Sequence, residues 1–430
     1  MKKILIITYY WPTSGGGGVQ RWLKFATYLT EYGVQPVVIV PENAAYPILD
    51  KNLENEVPKN IEVIKVPIWE PYSLLNSFKN KDLNKKLSHG IILSKQHRSF
   101  GHKLTFWIRG NLLIPDPRVF WVKNVVERGA QLIAEHNIDT VVTTGPPHSV
   151  HLAGLRLQKK NGIKWVSDFR DPWSTIDYLD EFYLTSLAKK VHRRLERKVL
   201  EKSDCVLAVS ENWKNELMDL GAKKVRVITN GYDETDFENY DPLRPSKFNI
   251  SHVGFLSFYR FPKILFRVLD DLCRENGDFR QDLELRFIGL VDALLPQIIG
   301  EYEYLKEQTM FIDYLPHDEV IRKYAESELL LLILNNTQNA MGHIPGKLFE
   351  YLASKKSILA VGPKQGDVAG ILSDTKAGFI VEFDDEWETR EMILQLYDRY
   401  LGKKAIETGN IERFTRRKLT QTLAETIKQL

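Results

Sequence analysis

Lys347 and Glu350 stand three residues apart in IPGKLFEYLA, a spacing that sets two side chains on one face of a helix. Pro345 and Gly346 open that helix. An ammonium at its start suits a pyrophosphate, and a carboxylate one turn deeper suits the two hydroxyls of a ribose. An ion pair between the two side chains is the structural alternative.

A second feature is the run Gly15, Gly16, Gly17, Gly18 between a hydrophobic stretch and a helical pattern. A loop without side chains lets a phosphate or sugar approach the backbone, and the free N–H groups of the following helix favour an anion. The dinucleotide fingerprint would need a third glycine where Gln20 or Arg21 stands, so a nicotinamide or flavin site is disfavoured. A flexible turn is the plainer reading.

Further candidates sit in segments that read as loops after strands. SHVGFLSFYRFPK holds Gly254, Arg260 and Lys263, and a basic pair there can neutralise the charge on a departing diphosphate. His148 in TTGPPHSVH could hydrogen-bond a sugar or phosphate; alternatively His148 or Ser149 caps a helix. SDFRDPW brings Asp168, Arg170 and Asp171 together, either to orient a sugar hydroxyl or as a structural ion-pair knot. Asp171, nearer the loop, is the better acceptor-side candidate. Asp367 in GPKQGDVAGIL reads as a substrate contact or as a helix N-cap.

The elements that would position these residues alternate strand and helix. Apolar runs at 3–8, 37–40, 140–144, 164–168, 205–210 and 225–229 predict one doubly wound α/β domain over residues 1–240. A second series at 249–253, 283–288, 310–312, 329–334, 357–361 and 379–383 predicts another over 241–405. NYDPLRPSK reads as the linker, and 406–430 as a closing helix that could pack back on the first domain. Ligands of open parallel sheets lie beyond the carboxyl ends of the strands, so the candidates fall on the expected side, facing a cleft between the domains.

IPGKLFEYLA followed by SILAVGPKQGDVAGIL resembles the donor-nucleotide signature of GT-B glycosyltransferases of family 4, and the glycine loop matches the same enzymes. GPPHSVHLAGLRLQKKNGIKWVSDFRDPW resembles the first-domain core of members that build surface polysaccharides. The resemblance implies transfer of a sugar from a UDP- or GDP-linked donor to a glycan or lipid-linked acceptor, retaining and without an essential metal or other cofactor. It gives Glu350 the ribose and Lys347 the diphosphate. A common family pattern places a glutamate eight positions before the second one; here that position is Gly342, and the backbone N–H groups of Gly342, His343 and Ile344 are expected to replace its carboxylate. A nucleotide-sugar epimerase and a non-catalytic sugar-nucleotide-binding subunit are the competing readings.

Bulk properties agree with a globular protein. Of 430 residues, 43% are hydrophobic and 27% charged, and 59 Lys and Arg nearly balance 56 Asp and Glu, which gives no reason to expect nucleic acid. Cys205 and Cys273 lack metal-ligand spacing and fit a reducing compartment, so a cytoplasmic protein is expected. MKKILIITYYW imitates a signal peptide but reads as a buried strand. Between residues 79 and 109, Lys79, Lys81, Lys85, Lys86, Lys95, Arg98, Lys103 and Arg109 face only Asp82 and alternate with aromatic and aliphatic residues. That pattern fits peripheral contact with an anionic membrane at its inner face, or a solvated insertion.

Overall fold

The computed structural model describes residues 1–46, 49–50, 52–70, 100–404 and 406–430. The basic stretch from Lys79 to Arg98 lies outside them. The chain divides into two compact units, one of Met1–Thr229 with Arg416–Leu430 and one of Asn230–Thr415.

The first unit is a seven-stranded parallel sheet in the order β3-β2-β1-β4-β5-β6-β7. Its strands are β1 (Lys2–Ile7), β2 (Val34–Pro41), β3 (Glu62–Val66), β4 (Thr140–Gly145), β5 (Lys164–Phe169), β6 (Cys205–Ala208) and β7 (Val225–Val227). Ile4, Leu5, Ile6 and Ile7 are buried because helices cover both faces, which is why the run reads as continuously apolar. The helices are α1 (Gly17–Leu29), α2 (Phe100–Asn111), α3 (Trp121–Glu135), α4 (Ser149–Asn161), α5 (Ser186–Lys202) and α6 (Glu211–Asp219). The closing helix Arg416–Lys428 belongs here too. Its Leu419, Leu423, Ala424 and Ile427 share a core with Trp22, Leu23, Ala26 and Leu29 of α1, and Lys2 Nζ donates to the Ile427 carbonyl at 3.1 Å.

The second unit is a six-stranded parallel sheet ordered β10-β9-β8-β11-β12-β13. It contains β8 (Phe248–Val253), β9 (Leu283–Ile288), β10 (Thr309–Ile312), β11 (Leu329–Ile333), β12 (Ser357–Val361) and β13 (Gly378–Val381). Its helices are α7 (Lys263–Glu275), α8 (Gly277–Asp282), α9 (Leu295–Gly300), α10 (His317–Ala325), α11 (Lys347–Ala353), α12 (Asp367–Thr375) and α13 (Glu386–Leu401). Tyr232 is part of this unit's core, and Phe237 and Tyr240 pack against it. The expected linker after residue 240 therefore lies inside the second unit.

Both sheets are doubly wound. Strand order reverses between β1 and β4 in the first unit and between β8 and β11 in the second. At such a switch point the connections leave to opposite faces, opening a crevice at the carboxyl ends of the strands. The loops that leave these four strands carry the glycine run, His148, Gly254 with Arg260, and the segment from Gly342 to Lys347.

Candidate active site

In the second unit Lys347 is the first residue of α11 and turns its ammonium toward the end of β8, where it donates to the Val253 carbonyl. From the same helix the Tyr351 hydroxyl accepts the Val253 N–H at 3.2 Å, so α11 grips both polar groups of that residue. Gly254 follows with φ 100°, and a Cβ there would stand 2.9 Å from Lys347 Nζ. Backbone shape and available space both demand glycine. Burial, and then the charge of nearby Arg260, push the Lys347 ammonium down to about 7, while Glu350 pulls it up. A lysine so poised gains a proton readily when an anion arrives.

Glu350 accepts a hydrogen bond from the Tyr324 hydroxyl of α10 at 2.8 Å. Among the described residues no salt bridge joins it to Lys347, so the surface ion pair does not form. Arg260 ends the 3-10 turn Phe258–Arg260, donates to the Phe255 carbonyl and lies over the Phe255 ring; burial lowers its pKa. Lys263 opens α7, is exposed, and lies 5.9 Å from the Phe258 ring centre.

The loop between β11 and α11 runs through a 3-10 turn, Gln338–Met341, into buried Gly342. His343 is half-buried, Ile344 packs in the core, and exposed Gly346 caps α11 with no side-chain hydrogen bond. Ile344 can therefore offer a ligand only its backbone. A Cβ on Gly366 would come 3.1 Å from the Met341 carbonyl oxygen, so the start of α12 abuts this loop. Gly366, not Asp367, is the N-cap of α12; Asp367 is its first residue, where a carboxylate complements the helix dipole.

In the first unit α1 begins at Gly17, so Gly17 and Gly18 are helical and only Gly15 and Gly16 remain in the loop. Gly16 has φ 89° and caps the helix without a side-chain hydrogen bond. Arg170 donates to the carbonyls of Gly18 at 2.8 Å, Pro146 at 2.6 Å and Gly145 at 3.2 Å. A Cβ on Gly18 would stand 3.0 Å from its guanidinium. Arg170 is thus a clamp on the loops after β1 and β4, and its donors are committed to protein.

Asp168 takes the structural reading. It is fully buried, pairs with Arg21 at 3.0 Å, and accepts from Trp22 Nε1 at 2.6 Å and Thr144 Oγ1 at 2.9 Å. Arg21 in turn donates to the carbonyls of Ile228 and Thr229. With its oxygens occupied, this carboxylate cannot meet a sugar; it joins α1, β4, β5 and the segment after β7. Among the described residues no hydrogen bond engages the neighbouring Asp171 carboxylate, which is half-buried on the loop. Burial raises its pKa against the pull of Arg170.

His148 is buried and stacks on Trp173, ring centres 5.2 Å apart and 6° from parallel. Burial, then His151 and Arg170, hold its imidazole neutral, so it can exchange hydrogen bonds but does not carry charge. His148 stands at the N-cap position of α4, but neither its side chain nor that of Ser149 bonds the free N–H groups of the first turn. Asp116 does, accepting from Ser149 N and Oγ at 2.8 Å each. His151 packs against Phe169 and meets Thr143 Oγ1 at 2.9 Å.

Some site-side groups have no signal in the sequence. Tyr9, Glu70 and Arg118 join at the carboxyl ends of β1 and β3, with Tyr9 donating to Glu70 at 2.9 Å and Arg118 pairing with it at 3.1 Å. Tyr324 and Tyr351, which hold Glu350 and Val253, sit on helices whose pattern marks them only as core. Among the described residues no group of three His, Cys, Asp or Glu side chains is placed to hold a metal ion, and no helix is long and apolar enough to cross a membrane.

Residues 106–236 match the model of Glycosyltransferase Family 4. No curated protein sequence matches the chain. Solved structures with the same fold include sucrose-phosphate synthase from Thermosynechococcus elongatus, with TM-score 0.64, 12% identity, and 100% of this chain and 99% of that one covered. HepE of Anabaena in complex with UDP gives 0.63 at 14% identity over 100% of both chains. A glycosyltransferase from Rickettsia africae gives 0.61 at 18%, covering 100% and 98%. The chain thus has the two-domain α/β fold of GT-B glycosyltransferases over its full length, and residues 106–236, which hold the His148 and Asp171 loops, match the model of Glycosyltransferase Family 4.

Proposed function

We propose that the chain transfers a sugar from a UDP- or GDP-linked donor to a hydroxyl of a glycan or lipid-linked acceptor, with retention and without metal, in cell-surface polysaccharide assembly at the inner face of the membrane. The observation that carries this reading is Lys347, a half-buried lysine at a switch point whose pKa is lowered to about 7, with Glu350 one turn deeper on the same helix. The diphosphate takes up Lys347 and Arg260, and the ribose hydroxyls donate to the Glu350 carboxylate, which Tyr324 orients. The UDP bound to HepE, a protein of the same fold, is in keeping with this donor class.

In the reaction the bond from the anomeric carbon to the diphosphate oxygen breaks, and that oxygen leaves with the electron pair. Lys347, Arg260 and the N–H groups of the Gly342–Ile344 loop stabilise the charge. The acceptor oxygen bonds to the anomeric carbon on the face the diphosphate leaves, and its proton passes to a diphosphate oxygen. Asp171 accepts a hydrogen bond that aligns the acceptor. His148, neutral, offers a hydrogen bond to the sugar and no proton transfer.

Thermal-shift titration with nucleoside diphosphates, followed by product analysis with and without acceptor, tests this. Binding that Lys347→Ala leaves unchanged would reject the donor site. A changed sugar without acceptor would mean an epimerase, and binding without turnover a non-catalytic subunit.

A further inference from the structure

Helix α2 docks by one edge. Phe106 stacks on Phe182 with ring centres 5.5 Å apart, and a Cβ on Gly110 would lie 2.6 Å from both Phe182 and Leu184. Its other side turns outward Leu104, Trp107 and Ile108, 48%, 38% and 38% exposed, followed by Leu112 at 65%. These positions fall on one helical stripe, where a water-facing helix would carry polar residues. Exposed Lys103 lies beside them, and no Asp or Glu occurs from Phe100 to Pro115.

Helix α5 supplies a second, independent feature. Ala188, His192, Glu196, Val199 and Leu200 form its buried side. The opposite side exposes Lys190, Arg193, Arg194, Arg197 and Lys198, with Leu187 at its start, 73% exposed. One residue joins the two helices: Asn111 at the end of α2 donates to the Tyr183 carbonyl at 3.2 Å and accepts from the N–H of Thr185, the cap of α5, at 2.8 Å. Leu112 and Leu187 flank that junction. The 3-10 turn Asp177–Phe182, on which α2 rests, follows the Asp171 loop, so this surface adjoins the acceptor-side end of the sheet.

We infer that α2 and α5 together form a membrane-docking face, with the apolar stripe entering the acyl boundary of a bilayer and the cations of α5 resting on anionic headgroups. A second copy is a poorer occupant, because a twofold contact through this face would oppose like charges. The inference rests on the proposed function only in giving a lipid-linked acceptor a reason for bilayer contact.

The test floats the full chain with vesicles of phosphatidylcholine alone or mixed with phosphatidylglycerol, at low and high salt. Binding to the anionic vesicles is expected, weakening with salt as headgroup attraction is screened. Trp107→Glu with Ile108→Glu should abolish it. Each cation lost from α5 should lower the partition coefficient about fivefold, so Arg193→Gln, Arg194→Gln and Arg197→Gln together lower it about a hundredfold. UDP binding by the same variants checks that they are folded. No binding by the unaltered chain, equal binding by both variants, or a concentration-dependent dimer dissolved by the Trp107 and Ile108 changes would overturn the inference. Failure of the unaltered chain to bind UDP would instead strike the donor reading and leave the vesicle result standing.

Discussion

Lys347 Nζ occupies the space that a side chain at residue 254 would need: it bonds the Val253 carbonyl and lies 2.9 Å from the Cβ position of Gly254. Gly254→Ala therefore both forces a side chain into φ 100° and displaces the ammonium. The backbone part costs about 1–3 kcal/mol of stability. Nucleoside diphosphate affinity should fall about tenfold, and in a Lys347→Met background the same change should have little further effect on binding, a coupling that calorimetric titration of the double-mutant cycle reads directly.

The acidity of Lys347 sets a pH dependence. In the free protein its charge is lost as pH rises through about 7, whereas a bound diphosphate holds the proton on. Binding above neutrality must then take up a proton, and UDP affinity should weaken with rising pH by up to about tenfold per unit. Titrations in buffers of different ionisation enthalpy should show that uptake, and Lys347→Met should remove it. For stability the sign is opposite: the unfolded lysine keeps its proton up to 10.5, so between about 7 and 10.5 the unfolded chain binds more protons and this residue makes the free protein more stable as pH rises.

Glu350 and Tyr324 separate ribose from phosphate recognition. Glu350→Gln removes the charge that two ribose hydroxyls would meet and should weaken UDP binding about tenfold, in line with the loss of a charge-assisted hydrogen bond of roughly 1.5–3 kcal/mol. Inorganic pyrophosphate, which has no ribose, should bind the variant as before. Tyr324→Phe should act in the same direction more weakly, since it frees the carboxylate to turn without removing it.

Asp168 should matter for folding. Replacing it by Ala removes the carboxylate that pairs with buried Arg21, and breaking a buried pair in this way costs about 3–5 kcal/mol. Denaturant titration of Asp168→Ala should show that loss. A variant that lost transferase activity at unchanged stability would restore a substrate role to Asp168.

What could be read along the chain was whatever rests on neighbours in sequence. Leu329–Ile333 declares a strand because every residue is buried, and Lys347 with Glu350 declares a helical face because one turn separates them. The edge strand Glu62–Val66 lacks a continuous apolar run because it mixes Glu62 and Lys65 with Val63, Ile64 and Val66, as a half-covered strand does. Four consecutive glycines carry no helical signal, yet Gly17 and Gly18 form the first turn of α1. Partnerships across the fold left no local trace: Asp168 meets Arg21 147 positions away, and Asp116 caps α4 from 33 positions away. Position nearer the loop already favours Asp171 over Asp168 in the sequence, and tertiary hydrogen bonding shows why: it commits the Asp168 carboxylate to Arg21, Trp22 and Thr144.

That separation yields the last expectation. Among the described residues none hydrogen-bonds the Asp171 carboxylate, while Arg170 beside it is committed to three carbonyls. Asp171→Asn should lower kcat/KM for the acceptor about 10- to 100-fold, the range expected when a positioned hydrogen bond is weakened, and leave UDP binding and acceptor-independent donor hydrolysis unchanged. Because burial raises its pKa, the carboxyl takes up a proton at a higher pH than an ordinary aspartate, so transfer should decline on the acid side earlier than donor binding does. In Asp171→Asn that acid limb should disappear. Equal losses in transfer and hydrolysis would move Asp171 to the donor side, and an unchanged acid limb would remove it from the site altogether.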